Sequence, residues 1–207
     1  MYQQFKIFLN NILFFLNKTE LVFKFVFFCV FTHDWVQLFF TLILQEVIMV
    51  KFAIYTFLGF IMESIYVSIL ERKIYFSGLL KGPFIPIYGF GALLILKTVP
   101  YYQNNFDTFF YSLICCTALE YLTHYFLSKD SNIQIWNYSK ISHNYSGRIC
   151  MFYSLMWGIL GIILVNYIDP FINSILIHLN YNFLNVIALI YVLIIMYQFY
   201  NYRYNNH

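Results

Sequence analysis

Long apolar runs dominate this chain, separated by short polar stretches. Five of them lie near Phe52–Leu70, Phe84–Val99, Thr108–Leu127, Met151–Ile168 and Phe171–Tyr197. Crossing about 30 Å of hydrocarbon takes near 20 helical residues, so these runs predict membrane-spanning helices. The second run is short and rich in Gly and Pro. A sixth candidate, Leu21–Val47, is interrupted near its middle by His33, Asp34 and Trp35. The expected fold is therefore all-α: a polytopic integral membrane helical bundle of five transmembrane helices, with a candidate sixth at the N-terminus.

Composition agrees. Of the 207 residues, 61% are hydrophobic and 10% charged, where a soluble domain carries about 25% charged residues. The aromatic share of 23% rises together with Ile, Asn and Lys, which fits a compositional bias as well as a binding preference. A net charge of +3 without any Lys/Arg cluster gives no basis for a nucleic-acid partner. Cys29, Cys115, Cys116 and Cys150 have no metal-ligand spacing and read as packing residues.

Charge placement sets the orientation. Arg72, Lys73 and Lys81 lie between the first two runs, and Lys129, Lys140 and Arg148 between the third and fourth; the turn between the fourth and fifth has only Asp169. By the positive-inside rule both basic loops and the C-terminus face the cytoplasm of a cell-membrane protein. If Leu21–Val47 crosses, six spans place both ends inside; five spans with the N-terminus outside is the rival. The first twenty residues lack the compact basic start and small-residue cleavage site of a signal peptide. Met49 opens a shorter reading of the chain, so the organisation expected is an N-terminal extension, 1–48, and a membrane domain, 49–207.

Two carboxyls fall inside the runs. Glu63 is about 11 residues into its run, roughly 16 Å, and Glu120 about 12 residues into a run of the same direction, roughly 18 Å. They are expected at similar depth, slightly to the cytoplasmic side of centre. His124 follows Glu120 by four residues and shares its helix face. An ionisable group at this depth costs roughly 2.5–3.5 kcal/mol on insertion scales, so it faces a partner, a cavity or a substrate path. Two readings stand: interhelical polar contacts, in which Glu120 pairs with Arg148 or His124, or a polar cavity where Glu63 and Glu120 meet a cation, a proton or a polar solute.

Two further motifs stand out. In Gly78–Gly91, Pro83 and Pro86 restrict the backbone at the mouth of the second run, while Gly82 and Gly89 permit close approach or unwinding around Tyr88. This suits either a broken helix start that lines a solute site or a re-entrant turn with a tight helix crossing. The segment Trp136–Arg148 is polar and aromatic, and its Trp136, Asn137, Tyr138, Ser139 and Asn144 make either an anchored interfacial loop or a docking surface or lid. No P-loop, HExxH, GxSxG or CxxC occurs, so no ATPase or hydrolase activity, no cofactor and no metal is expected of this chain itself.

Five stretches together carry a resemblance: GFIMESIYVSILERK, GLLKGPFIPIYGFGALLI, ALEYLT, WNYS and NYSGRICMFYSLMWGILG. In that order they resemble a bacterial family of ABC-transporter permeases of the CmpB-like, or type IV, kind. The likeness covers about Phe52 to Ile172. The matching positions are Glu63, Gly82, Pro83, Pro86, Tyr88, Gly89, Glu120, Trp136, Tyr138, Ser139, Asn144, Gly147, Arg148 and Trp157. The chain departs from the family pattern at Ser77, where Arg is usual, at Ile85 for Cys, at Asn137 for Asp and at Ser128 for Glu.

The resemblance implies a membrane domain of about five helices and a permease subunit that moves a small solute, working with a separate ATPase and as a homo-oligomer in membrane lipid. On that reading Glu63 and Glu120 line the path and Arg148 is a counter-ion or gate. The alternatives are a non-transporting scaffold that recruits partners through its cytoplasmic loop and, with least support, an intramembrane enzyme using the two carboxyls.

Overall fold

The computed structural model describes residues 46–98, 104–131 and 136–205. The candidate span Leu21–Val47 and the N-terminal extension 1–48 lie outside the described residues, apart from those from Glu46 onward, which already belong to a helix. Six helical segments follow in order: α1 (Glu46–Glu71), α2 (Pro86–Thr98), α3 (Asn105–Ser131), α4 (Met151–Ile163), α5 (Asp169–Leu176) and α6 (Tyr181–Asn205). A single π-helical stretch, Leu164–Ile168, joins α4 to α5. The one strand pair, Asn144–Tyr145 (β1) with Ile149–Cys150 (β2), is a small antiparallel hairpin among the described residues.

Among the described residues, three helices are long and apolar enough to cross a bilayer: Val47–Glu71, Met151–Leu176 and Tyr181–Tyr202. The other two expected spans are built differently. α2 has only 13 residues, roughly 20 Å. α3 has 27 residues but carries Thr108, Ser112, Glu120 and His124 on its buried side. It packs against both α2 and α4, so these polar groups face protein.

The boundary expected between the last two spans moves. Asp169 and Pro170 do not form a turn; they begin α5, which continues α4 through the π-helical stretch to Leu176. Pro170 has no amide hydrogen and would crowd the carbonyl one turn back in a regular α-helix. Widening the preceding turn to the π spacing accommodates it. The chain reverses instead at 177–180, where Asn180 accepts from the amides of Asn182 and Phe183 and so starts α6.

Between α1 and α2 the chain doubles back. Lys73 N–H donates to Ser68 O, Tyr75 N–H to Ser68 Oγ and Ser77 N–H to Ser64 Oγ. The strap 72–77 thus runs alongside the last two turns of α1 and returns to the level of Glu63, roughly 12 Å back from the helix end. Gly78 and Gly82 have φ of +118° and +124°, the region that costs an ordinary side chain and suits glycine. The turn they make is covered by α6. Tyr191 Oη donates to Pro83 O at 2.6 Å, Gln198 Nε2 to Lys81 O at 2.6 Å, and Leu80 and Phe84 pack with Ile195. Non-helical backbone inside an apolar bundle persists only where protein covers it in this way. Both readings of the Gly/Pro motif call for non-helical backbone before Pro86, and the chain there doubles back along α1.

Close helix approach depends on small residues. A Cβ placed on Gly59 of α1 would lie 2.3 Å from the Tyr88 side chain of α2, and one on Gly161 of α4 would lie 2.0 Å from Ser112 Oγ of α3. Gly161→Ala is therefore expected to force α3 and α4 apart and to cost about 1–3 kcal/mol. Thermal unfolding in mild detergent, compared with Phe171→Ala on the exposed face, checks this. A Gly161→Ala protein that melts like the parent would contradict the packing.

Candidate functional site

The polar interior is built by side chains from four helices and two connecting segments. Glu120 of α3 is 3% exposed. Its Oε1 accepts from Tyr138 Oη at 2.8 Å and its Oε2 from Trp157 Nε1 at 3.2 Å. Glu63 of α1 is half-buried and accepts from Ser77 Oγ at 2.5 Å. Tyr88 of α2 is close enough to feel both carboxyls, Glu63 more strongly than Glu120. Trp157 packs on Tyr88 with ring centroids 5.2 Å apart, and Tyr153 stacks on Tyr138 at 4.7 Å. Tyr66 closes the group through its hydroxyl, 3.0 Å from that of Tyr153.

Each connecting segment contributes one hydroxyl to one carboxyl. The strap presents Ser77 to Glu63, and the 136–150 loop presents Tyr138 to Glu120. Burial, with the Glu120 carboxyl beside it, pushes the Tyr138 hydroxyl far above the usual tyrosine range, so it remains a donor. The loop is shaped for this. Asn137 Oδ1 accepts from Ser139 N–H, Tyr138 N–H donates to Gly147 O, and Asn144 bridges Ile141 O and Gly147 N–H. The hairpin turn closes with Arg148 N–H donating to Tyr145 O, and its central residues Ser146 and Gly147 have φ of 54° and 67°. Three residues, Ser146, Gly147 and Arg148, separate the paired Tyr145 and Ile149.

The remaining residues singled out in the sequence take other places. His124 Nε2 lies 3.1 Å from Trp136 O, and Trp136 Nε1 donates to Arg148 O at 2.8 Å, so both hold the loop against α3. Arg148 does not pair with Glu120. Its guanidinium lies over the rings of Tyr121 and Tyr125, at 5.5 and 5.1 Å, and donates to Tyr121 Oη at 3.3 Å. The tyrosine and indole donors already occupy the Glu120 oxygens. Gly82 and Pro83 lie in the turn before α2, Pro86 begins α2, and Gly89 sits against Thr56 and Phe52 of α1. No group of three or more His, Cys, Asp or Glu suited to a metal occurs among the described residues.

A second polar cluster was not anticipated. Lys51 Nζ and Asp169 Oδ1 form an ion pair at 2.7 Å, Tyr55 Oη also bonds Asp169, and Asn173 Nδ2 donates to Asp169 Oδ2 at 2.8 Å. It ties the start of α1 to the start of α5, at the end of the bundle away from the strap. The available signal was two spacings of four, Lys51 with Tyr55 and Asp169 with Asn173, each on one helix face. Reading Asp169 as a turn residue hid the second.

Removing a donor from a buried carboxyl costs about 1–3 kcal/mol. Tyr138→Phe is expected to destabilise by that order in detergent unfolding. Tyr138→Phe combined with Glu120→Gln is expected to cost less than the sum of the two single changes, because they share one hydrogen bond. Strict additivity would mean that Tyr138 and Glu120 are not partners in the folded protein.

No curated protein and no solved structure matches the chain. A family model described as "Putative ABC-transporter type IV" matches residues 50–202, past the Ile172 limit of the sequence motifs and through most of α6. It takes in both carboxyls, the strap, the loop and all six helical segments, and the chain belongs to this ABC-transporter type IV family.

Proposed function

We propose that this chain is the membrane-embedded permease subunit of a transporter, and that the Glu63–Tyr88–Glu120 core lines the solute path. The observation that carries the reading is two carboxyls held inside an apolar bundle by neutral donors, Ser77 on Glu63 and Tyr138 and Trp157 on Glu120, with no lysine or arginine paired to either among the described residues. Buried acidic groups are retained in membrane helices where an ion, a proton or a polar solute is handled. Family membership and three bilayer-length helices support a membrane transport component.

In this reading all five helical passes cross the membrane, α4 and α5 counting as one. The strap and α2 cross as a unit: roughly 12 Å of extended chain and roughly 20 Å of helix match a core of about 30 Å. The strap, the 136–150 loop and the C-terminal end of α6 lie at one end of the bundle, through the contacts of Gln198 with Lys81 and of Tyr138 with Glu120. Their basic residues assign this end, and the C-terminus with it, to the cytoplasm. A separate ATPase docks there and supplies the energy, and the subunit works as a homo-oligomer. The loop acts as a lid: its Tyr138 is turned inward onto Glu120, which favours a lid over a recruiting surface.

Tagged purification in mild detergent with mass spectrometry of the bound proteins tests the reading. A stoichiometric ATPase is expected. Glu63→Gln and Glu120→Gln are expected to keep that complex and to lower its ATP turnover at least tenfold. A clean preparation without ATPase would remove the energised-transport reading, and unchanged turnover in both variants would remove the path assignment.

A further inference from the structure

Among the described residues, Arg148 has no acidic partner. The Glu120 oxygens accept from Tyr138 and Trp157, and the ion pairs among the described residues are Lys51–Asp169 and Lys73–Glu71. One of the five guanidinium N–H groups has a recorded acceptor, Tyr121 Oη. The group is half-buried, held between the rings of Tyr121 and Tyr125, with Tyr145 packed on Tyr121 at 5.9 Å. Stacking on aromatic faces fixes the plane of a guanidinium and leaves its outer edge to act as a fork. Such a fork matches the two free oxygens of a phosphodiester, which it binds bidentately.

The position selects the source of that phosphate. Arg148 sits in the hairpin turn between α3 and α4, at the end of the bundle that also holds Arg72, Lys73 and Lys81. Trp136, whose indole donates to Arg148 O, and Tyr145, packed on Tyr121, lie beside it, residue types enriched in a headgroup layer. Immediately beyond it, α4 presents Met151, Phe152, Leu155 and Ile159, all exposed, as an apolar stripe leading away from the guanidinium. A positive fork at the head of an apolar stripe complements a molecule with an anionic head and an acyl tail.

We propose that Arg148, cradled by Tyr121 and Tyr125, binds the phosphodiester of a membrane phospholipid whose acyl chain lies along the exposed face of α4. The site is separate from the Glu63–Tyr88–Glu120 core and does not depend on transport. Because Arg148 O receives the Trp136 indole and Trp136 O contacts His124, an occupied site also steadies the loop that carries Tyr138.

Native mass spectrometry of the detergent-purified chain, with added dioleoylphosphatidylglycerol or with dioleoylglycerol, which lacks the phosphate, tests this. The parent is expected to retain the phosphatidylglycerol and to lose the dioleoylglycerol. At equal lipid, Arg148→Gln is expected to lower the retained fraction at least fivefold. Arg148→Lys is expected to fall between, since an ammonium keeps the charge and loses the fork. Lys73→Gln, on a basic residue at the same end, is expected to bind as the parent does. Equal retention of the two lipids by the parent overturns the proposal even if Arg148→Gln fails to fold. Parent-like retention by folded Arg148→Gln overturns it too. If Arg148→Gln instead strips a co-purifying ATPase and leaves lipid retention unchanged, the guanidinium belongs to a protein interface and the lipid assignment falls.

Discussion

A carboxyl almost fully withdrawn from solvent cannot remain without donors, and the arrangement around Glu120 follows from that requirement. Neither α3 nor a cation supplies them. A tyrosine from the 136–150 loop and an indole from α4 do, at 2.8 and 3.2 Å. Meeting that need folds the loop inward and fixes how α4 sits against α3, where Gly161 and Ser112 allow the two backbones to approach. Glu63 imposes the same demand from α1 and draws in the strap through Ser77. Tyr88, in the first turn of α2, packs on Trp157 close to both carboxyls.

The two ends of the bundle are therefore unlike. At one end, neutral hydroxyls close over carboxyls, and single hydrogen bonds of this kind can be exchanged for those of a solute at small net cost. At the other, Lys51 and Asp169 form a largely buried ion pair braced by Tyr55 and Asn173. Breaking such a pair by removing one partner costs about 3–5 kcal/mol. The π-helical stretch directly before Asp169 gives this joint a local irregularity in an otherwise continuous helix. A labile end and a braced end suit a protein whose loop is proposed to act as a lid at one end.

Much of this was legible in the chain. Apolar run length located helices because lipid demands it, and it placed Glu63 and Glu120 within two of them. What stayed hidden depends on contacts between distant residues. The partner of Glu120 was sought among cations, Arg148 and His124, whereas the structure uses Tyr138 and Trp157, residues 18 and 37 positions away. No local spacing announces such a pair. Asp169 was read as the turn between two apolar runs, and the π-helical stretch that lets the helix continue past it leaves no mark in the residue pattern. Ser77 is instructive as well. By resemblance the family usually has Arg there, and in this chain the position still faces Glu63, with a hydroxyl in place of a charge. The loss is one reason the carboxyl core carries no fixed counter-ion among the described residues.

The account rests most directly on the strap lying inside the bundle beside Glu63. Ser64→Cys with Ser77→Cys, in a chain whose native cysteines are replaced, measures this, because Ser64 Oγ accepts from the Ser77 amide at 3.1 Å. Mild oxidation of the folded protein is predicted to join the two thiols and protect both from maleimide. If both thiols remain free to react while the protein stays folded, the strap does not run back along α1, and the closed carboxyl core described here does not exist in that form.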